Sequence, residues 1–137
     1  MAKIPTEADV RDVLKRFPLY HPGHKVIISS TELIPGAIIV SYRTNNRSHN
    51  ETTHLSLQFQ GDTCYIVGIG LDPCYRGAGL GEELYRISEN IARQAGSSRV
   101  VMTPSGKTAT EETRLNYVKR KFGYTEISGS FEVEKIL

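Results

Sequence analysis

Apolar residues recur along this chain with two periods, and each change of period marks an element. Val10, Val13, Leu14 and Phe17 return every three or four residues, which predicts a helix. Thr6-Glu7-Ala8-Asp9 has the form of a capping box at its start, and Pro18 with Pro22-Gly23 closes it. Lys25-Val26-Ile27-Ile28-Ser29 and Ala37-Ile38-Ile39-Val40-Ser41-Tyr42 are rich in β-branched residues and predict strands on either side of the Pro35-Gly36 turn. After a polar tip at residues 44–50, Thr53-His54-Leu55-Ser56-Leu57-Gln58-Phe59 alternates polar and apolar, the pattern of a half-buried strand. Gly61-Asp62 turns the chain. Cys64-Tyr65-Ile66-Val67-Gly68-Ile69-Gly70-Leu71 is nearly all apolar, which predicts a strand covered on both faces. Gly68 and Gly70 inside it mark a bulge or a place where another backbone comes close.

The helical period then returns. Leu80, Leu84, Ile87, Ile91 and Ala95 form one stripe, with Gly96 as the stop. Residues 99–103 predict a short buried strand, so strand, helix and strand make a parallel crossover. A second capping box is expected at Thr108-Ala109-Thr110-Glu111, followed by Leu115, Val118 and Phe122 on one helix face and Gly123 at its end. Residues 124–127 and 131–136 read as closing strands around Ser128-Gly129-Ser130. The order is one helix, four strands, helix, strand, helix, two strands, an α/β chain with a mixed sheet and helices on its faces.

Composition narrows the function without naming it. The 137 residues fit one domain with a real core. A net charge of +2 gives no reason to expect nucleic acid or a membrane surface as partner. No apolar run approaches a membrane span, and the start of the chain lacks the apolar core of a signal peptide, so a cytoplasmic protein is expected. Cys64 and Cys74 are then free thiols. His21 and His24 lack further ligands nearby in sequence, so no metal site is expected.

The candidate chemistry lies between the apolar strand and the long helix, in Asp72-Pro73-Cys74-Tyr75-Arg76-Gly77-Ala78-Gly79-Leu80-Gly81. Glycines let a backbone approach a ligand closely. The first turn of a helix presents unpartnered N–H groups and a positive dipole end to an anion. Arg76 adds a permanent charge suited to phosphate. Two other phosphate motifs fail: Pro104-Ser105-Gly106-Lys107-Thr108 lacks the earlier glycine of a P-loop, and the glycine spacing at residues 77–81 is not that of a dinucleotide fingerprint.

Arg76-Gly77-Ala78-Gly79-Leu80-Gly81 resembles the Arg/Gln-x-x-Gly-x-Gly/Ala signature of the GCN5-related N-acetyltransferases (GNAT). The strand before it and the helix after it match as well. The resemblance implies the acyl-CoA N-acyltransferase fold, a mixed central sheet flanked by helices, and acetyl-coenzyme A as cofactor. It implies that residues 76–81 hold the pyrophosphate and that the pantetheine arm runs along Ile69, Gly70 and Leu71. The activity it implies is direct attack by a primary amine on the thioester in a ternary complex. The amine would belong to a small molecule or a peptide, and by analogy a homodimer is an assembly to expect.

The catalytic groups follow the family less closely. The family's usual acid is a Tyr four residues before the glycine that ends the second helix, and that position here is Lys119. Tyr117 is the nearest candidate, about 200° around the helix. No acidic residue stands in the strand at residues 64–71; His54 and Tyr65 are the nearest candidates on the sheet, and His54, which titrates in the useful range, is the candidate base. The same departures fit an alternative: a chain that binds acyl-CoA but turns it over weakly or not at all.

Overall fold

The computed structural model describes residues 5–16, 27–29, 37–42, 53–70, 80–105 and 112–137. In chain order these form α1 (Glu7–Leu14), β1 (Ile27–Ser29), β2 (Ala37–Tyr42), β3 (Thr53–Gln60), β4 (Thr63–Gly70), α2 (Leu80–Gln94), β5 (Arg99–Met102), α3 (Arg114–Phe122), β6 (Thr125–Glu126) and β7 (Val133–Ile136). The strands make one mixed sheet of order β1-β2-β3-β4-β5-β7-β6. Only β4 and β5, joined through α2, run parallel; the other neighbours are antiparallel. The order of helices and strands is the one predicted.

Local chemistry explains the boundaries. Thr6 accepts a hydrogen bond from the backbone N–H of Asp9, and the Asp9 carboxylate accepts one from the N–H of Thr6, closing the expected capping box. The helix ends at Leu14, short of Phe17, which lies outside the described residues. Gly96 and Gly123 stop α2 and α3 at φ 82° and 79°, a region open to glycine without a Cβ clash. The cap of α3 differs from expectation. Thr113, not Thr108, is the N-cap, and its side chain accepts from the N–H of Asn116. Residues 106–111 lie outside the described residues.

The apolar stripes meet in one core. Val10, Val13 and Leu14 of α1 join Leu55, Leu57 and Phe59 of β3, with Leu84, Ile87 and Ile91 of α2. Val118 and Phe122 of α3 enter the same cluster. Outside it, Gln94 ties α2 to α1: it accepts from the Arg16 guanidinium at 3.1 Å and donates to Asp9 at 3.3 Å. Glu89 of α2 is buried and pairs with Lys135 of β7 at 2.8 Å. The hydroxyls of Tyr124 and Ser97 are buried without a hydrogen-bond partner.

β4 departs from the expectation of a strand covered throughout. Ser56 pairs with Gly68 and Leu57 with Ile66, so Val67 is an extra residue without a partner on β3. This bulge reverses the phase of the strand. Cys64 and Ile66 face the core before it; after it, Ile69 packs against the core and Val67 is 59% exposed.

Candidate active site

The parallel pairing of β4 with β5 ends at Ile66 and Met102. β5 stops there, while β4 continues to Gly70. The two strands therefore part, and residues 67–70 have no described strand partner on the β5 side. A cleft of about 230 Å³ fills the opening. Residues 66–69 form one wall and residues 102–105 the other, while Tyr85 of α2 and Arg114 of α3 also line it.

Tyr85 is fully buried, so it backs the cleft rather than projecting into solvent. Its hydroxyl lies 3.5 Å from the Arg114 guanidinium. Burial raises its pKa, and this outweighs the lowering influence of Arg114. Tyr85, Tyr117 and Phe122 pack as an aromatic trio, with ring centroids 6.0, 5.0 and 5.7 Å apart. The Arg86 guanidinium stands 5.6 Å from the Phe122 ring centre and that of Arg120 stands 5.8 Å from the Tyr117 ring centre. The trio fixes α3 on α2 and so sets where Arg114 enters the cleft.

The predicted site residues fall in three groups. Ile69 lines the cleft and Gly70 ends β4 beside it. Leu80 and Gly81 open α2, while Leu71, Arg76, Gly77, Ala78 and Gly79 lie outside the described residues. His54 occupies the start of β3, paired with Ser41 on one side and Gly70 on the other. Its backbone thus borders the end of β4 where the cleft lies. Tyr117 is half-buried, turned toward Tyr85 and Phe122, and is not among the described residues that line the cleft. Its pKa is raised, mainly by burial and next by the nearby Glu82 carboxylate. Lys119 points elsewhere, to Glu126 at 3.4 Å. Among the described residues no cluster of three or more His, Cys, Asp or Glu could hold a metal ion. None of their helices is long and apolar enough to cross a membrane.

The sequence profile of the acetyltransferase (GNAT) family matches residues 12–124. The chain belongs to that family. Solved structures of similar fold add to the comparison. PaiA N-acetyltransferase from Thermoplasma acidophilum, in complex with coenzyme A, aligns with this GNAT chain at 16% identity and a TM-score of 0.54. The alignment covers 74% of this chain and 61% of that one. A Klebsiella pneumoniae subsp. pneumoniae protein assigned as an acyl-CoA N-acyltransferase aligns at 16% identity and a TM-score of 0.55, over 100% of this chain and 95% of its own. The IAA acetyltransferase from Bacillus cereus aligns at 13% identity and a TM-score of 0.52, over 74% and 78%. At these identities the likeness is one of fold. No curated protein matches the chain.

Sequence reasoning missed Tyr85 and Arg114. Tyr85 follows Leu84 within the apolar stripe of α2 and reads as one more core residue. Arg114 was hidden by the misplaced cap: a helix begun at Thr108 would carry it in mid-helix, whereas Thr113 makes it the first helical residue.

Proposed function

We propose that this GNAT chain is an acetyl-coenzyme A-dependent N-acetyltransferase that transfers an acetyl group to a primary amine by direct attack in a ternary complex. The observation that carries the reading is the parting of β4 from β5, which leaves half a strand with an open edge beside a cleft. The residues present fit a pantetheine arm, because an open strand edge can hold an extended amide chain as an added strand. Bound acetyl-coenzyme A supplies the acetyl group as an activated thioester.

The rest falls to the chain. Backbone groups of Ile69, Gly70 and Leu71 hold the arm, and the N–H near Leu71 serves as an oxyanion donor. Arg76, Gly77, Ala78, Gly79, Leu80 and Gly81 hold the pyrophosphate at the start of α2. The attacking amine must be neutral, and His54, whose backbone borders Gly70, takes its proton. Tyr117, packed against Tyr85, which lines the cleft, is the candidate donor of the proton to the leaving thiolate.

A calorimetric titration of acetyl-coenzyme A tests this reading, with an Arg76→Ala/Gly79→Glu variant alongside. Binding by the wild type and its loss in the variant are expected; no wild-type binding at high micromolar concentration overturns the reading. One observation favours a second reading, a binding module with little turnover. Lys119 holds the family's usual Tyr position and is paired with Glu126, while Tyr117 is packed among aromatic rings. Tight binding without acetyl transfer to any amine of a broad panel would decide for it.

A further inference from the structure

Thr103, Ser105 and Tyr85 are the hydroxyl-bearing residues among those described that line the cleft. Thr103 and Ser105 are exposed, whereas Tyr85 is fully buried and meets the cleft only at its floor. Packing against the rings of Tyr117 and Phe122 fixes its ring in place. The phenol oxygen accepts a hydrogen bond from the Arg114 guanidinium at 3.5 Å. Among the described residues nothing accepts the phenol's own proton. A buried donor without an acceptor is costly, and its place at a cleft points to a bound group that supplies one. Tyr117, by contrast, is not among the described residues on the cleft.

If residues 76–81 hold the pyrophosphate and residues 69–71 the arm, the sulfur end lies inward of Ile69. That is toward the point where β4 and β5 part, at Ile66 and Met102. The amides of the arm are matched by the open edge of β4. The sulfur has no such match, yet it gathers negative charge as the thioester breaks. We propose that the Tyr85 hydroxyl donates a hydrogen bond to that sulfur. The amine nitrogen bonds to the acyl carbon and gives its proton to the base, and the C–S bond breaks with its electron pair left on sulfur. Tyr85 keeps its proton and shares it with the sulfur as that charge develops. A donor fixed in a dry site does this more strongly than one in water. The inference rests on the coenzyme reading above and deepens it.

The test is a ratio of affinities, measured by calorimetry, so that general loss of binding does not count. Coenzyme A is set against desulfo-coenzyme A, which lacks the sulfur, at about pH 9, where an ordinary thiol is mostly ionised. Burial raises the Tyr85 pKa, so the phenol keeps its proton there. The wild type is expected to prefer coenzyme A by about tenfold, the size of a hydrogen bond to a charged group. The preference falls to about one in Tyr85→Phe, which keeps the ring and its packing, with folding checked by circular dichroism. In turnover the same variant lowers kcat and leaves the KM for acetyl-coenzyme A within about twofold. A Tyr85 that only braced α2 against α3 would change stability and leave the ratio as it was, which overturns the proposal. So does the lack of a wild-type preference, whatever the variant does. A preference lost in Arg114→Gln and kept in Tyr85→Phe gives the contact to the guanidinium and also overturns it. If neither molecule binds the wild type, the coenzyme reading fails and this inference falls with it. Binding of both without discrimination overturns this inference alone.

Discussion

Replacing Lys135 with Met should destabilise the fold by far more than a surface substitution. Lys135 sits on β7 and reaches Glu89 on α2 at 2.8 Å, with side-chain exposures of only 24% and 6%. Exposed pairs contribute about 0.2–1 kcal/mol, whereas breaking a fully buried pair costs about 3–5 kcal/mol because one charge is left without a partner. Here the lysine end still sees water, and Arg93 stands 3.8 Å from the Glu89 carboxylate as a partial substitute. The expected loss for Lys135→Met is therefore about 2 kcal/mol, between those limits. With an unfolding entropy of about 2.1 cal/mol/K per residue, 137 residues give about 0.3 kcal/mol per degree, so Tm falls by about 7 °C. The chain has no tryptophan, so far-UV circular dichroism in urea is the suitable assay. Glu89→Gln, which removes the charge and keeps the shape, should rescue part of the loss when combined with Lys135→Met. A double variant whose loss equals the sum of the two single losses would refute the reasoning, since the two groups would then not be coupled.

Three further outcomes are expected. Gly123→Ala should cost about 1 kcal/mol, because a Cβ there meets nothing within 4 Å and the penalty is backbone strain at φ 79° alone; Gly123→Asn should cost less, and urea unfolding separates the two. Thr6→Ala should lose about 1 kcal/mol with the capping box of α1, read in the same assay. Burial pushes the Cys64 thiol up to about 12, above its unfolded value of about 8.5, so the unfolded chain ionises first and stability falls as pH rises across that window. Cys64→Val should flatten the slope between pH 8 and 11, and equal slopes in both proteins would contradict the assignment.

The fold was legible wherever one period ran unbroken. The stripe Leu84, Ile87, Ile91 located α2, and the alternation of Leu55, Leu57 and Phe59 located β3, because each set faces one core. Glycines at 96 and 123 marked helix ends for a backbone reason that sequence carries directly. The cap of α3 was not legible, since Thr108 and Thr113 are both suitable caps by residue type and only the tertiary position of the helix chooses between them. The exposure of Val67 was hidden too. A run of apolar residues looks covered on both faces until a bulge shifts the phase, and the bulge is set by pairing with β3.

The candidate site divides in the same way. The strand that borders it was legible from residues 64–71, and Ile69 lies on the cleft. The residues that close the cleft were not, because Tyr85 and Arg114 are brought there by α2 and α3 packing through aromatic rings. Such contacts join residues about thirty positions apart and leave no local pattern.

The bulge at Val67 also decides what a molecule meets on the far side of the sheet. Had β4 kept its phase, the core positions after Ile66 would have been Gly68 and Gly70, and the interior would have lost the Ile69 side chain. With the phase reversed, Ile69 fills the interior, and the two glycines fall on the other face, opposite Ser56 and the backbone of His54. Among the described residues, that face of the last part of β4 presents main chain at Gly68 and Gly70 rather than side chains. One inserted residue thus lets the same strand keep a side chain in the core at Ile69 while its other face carries only glycines at 68 and 70.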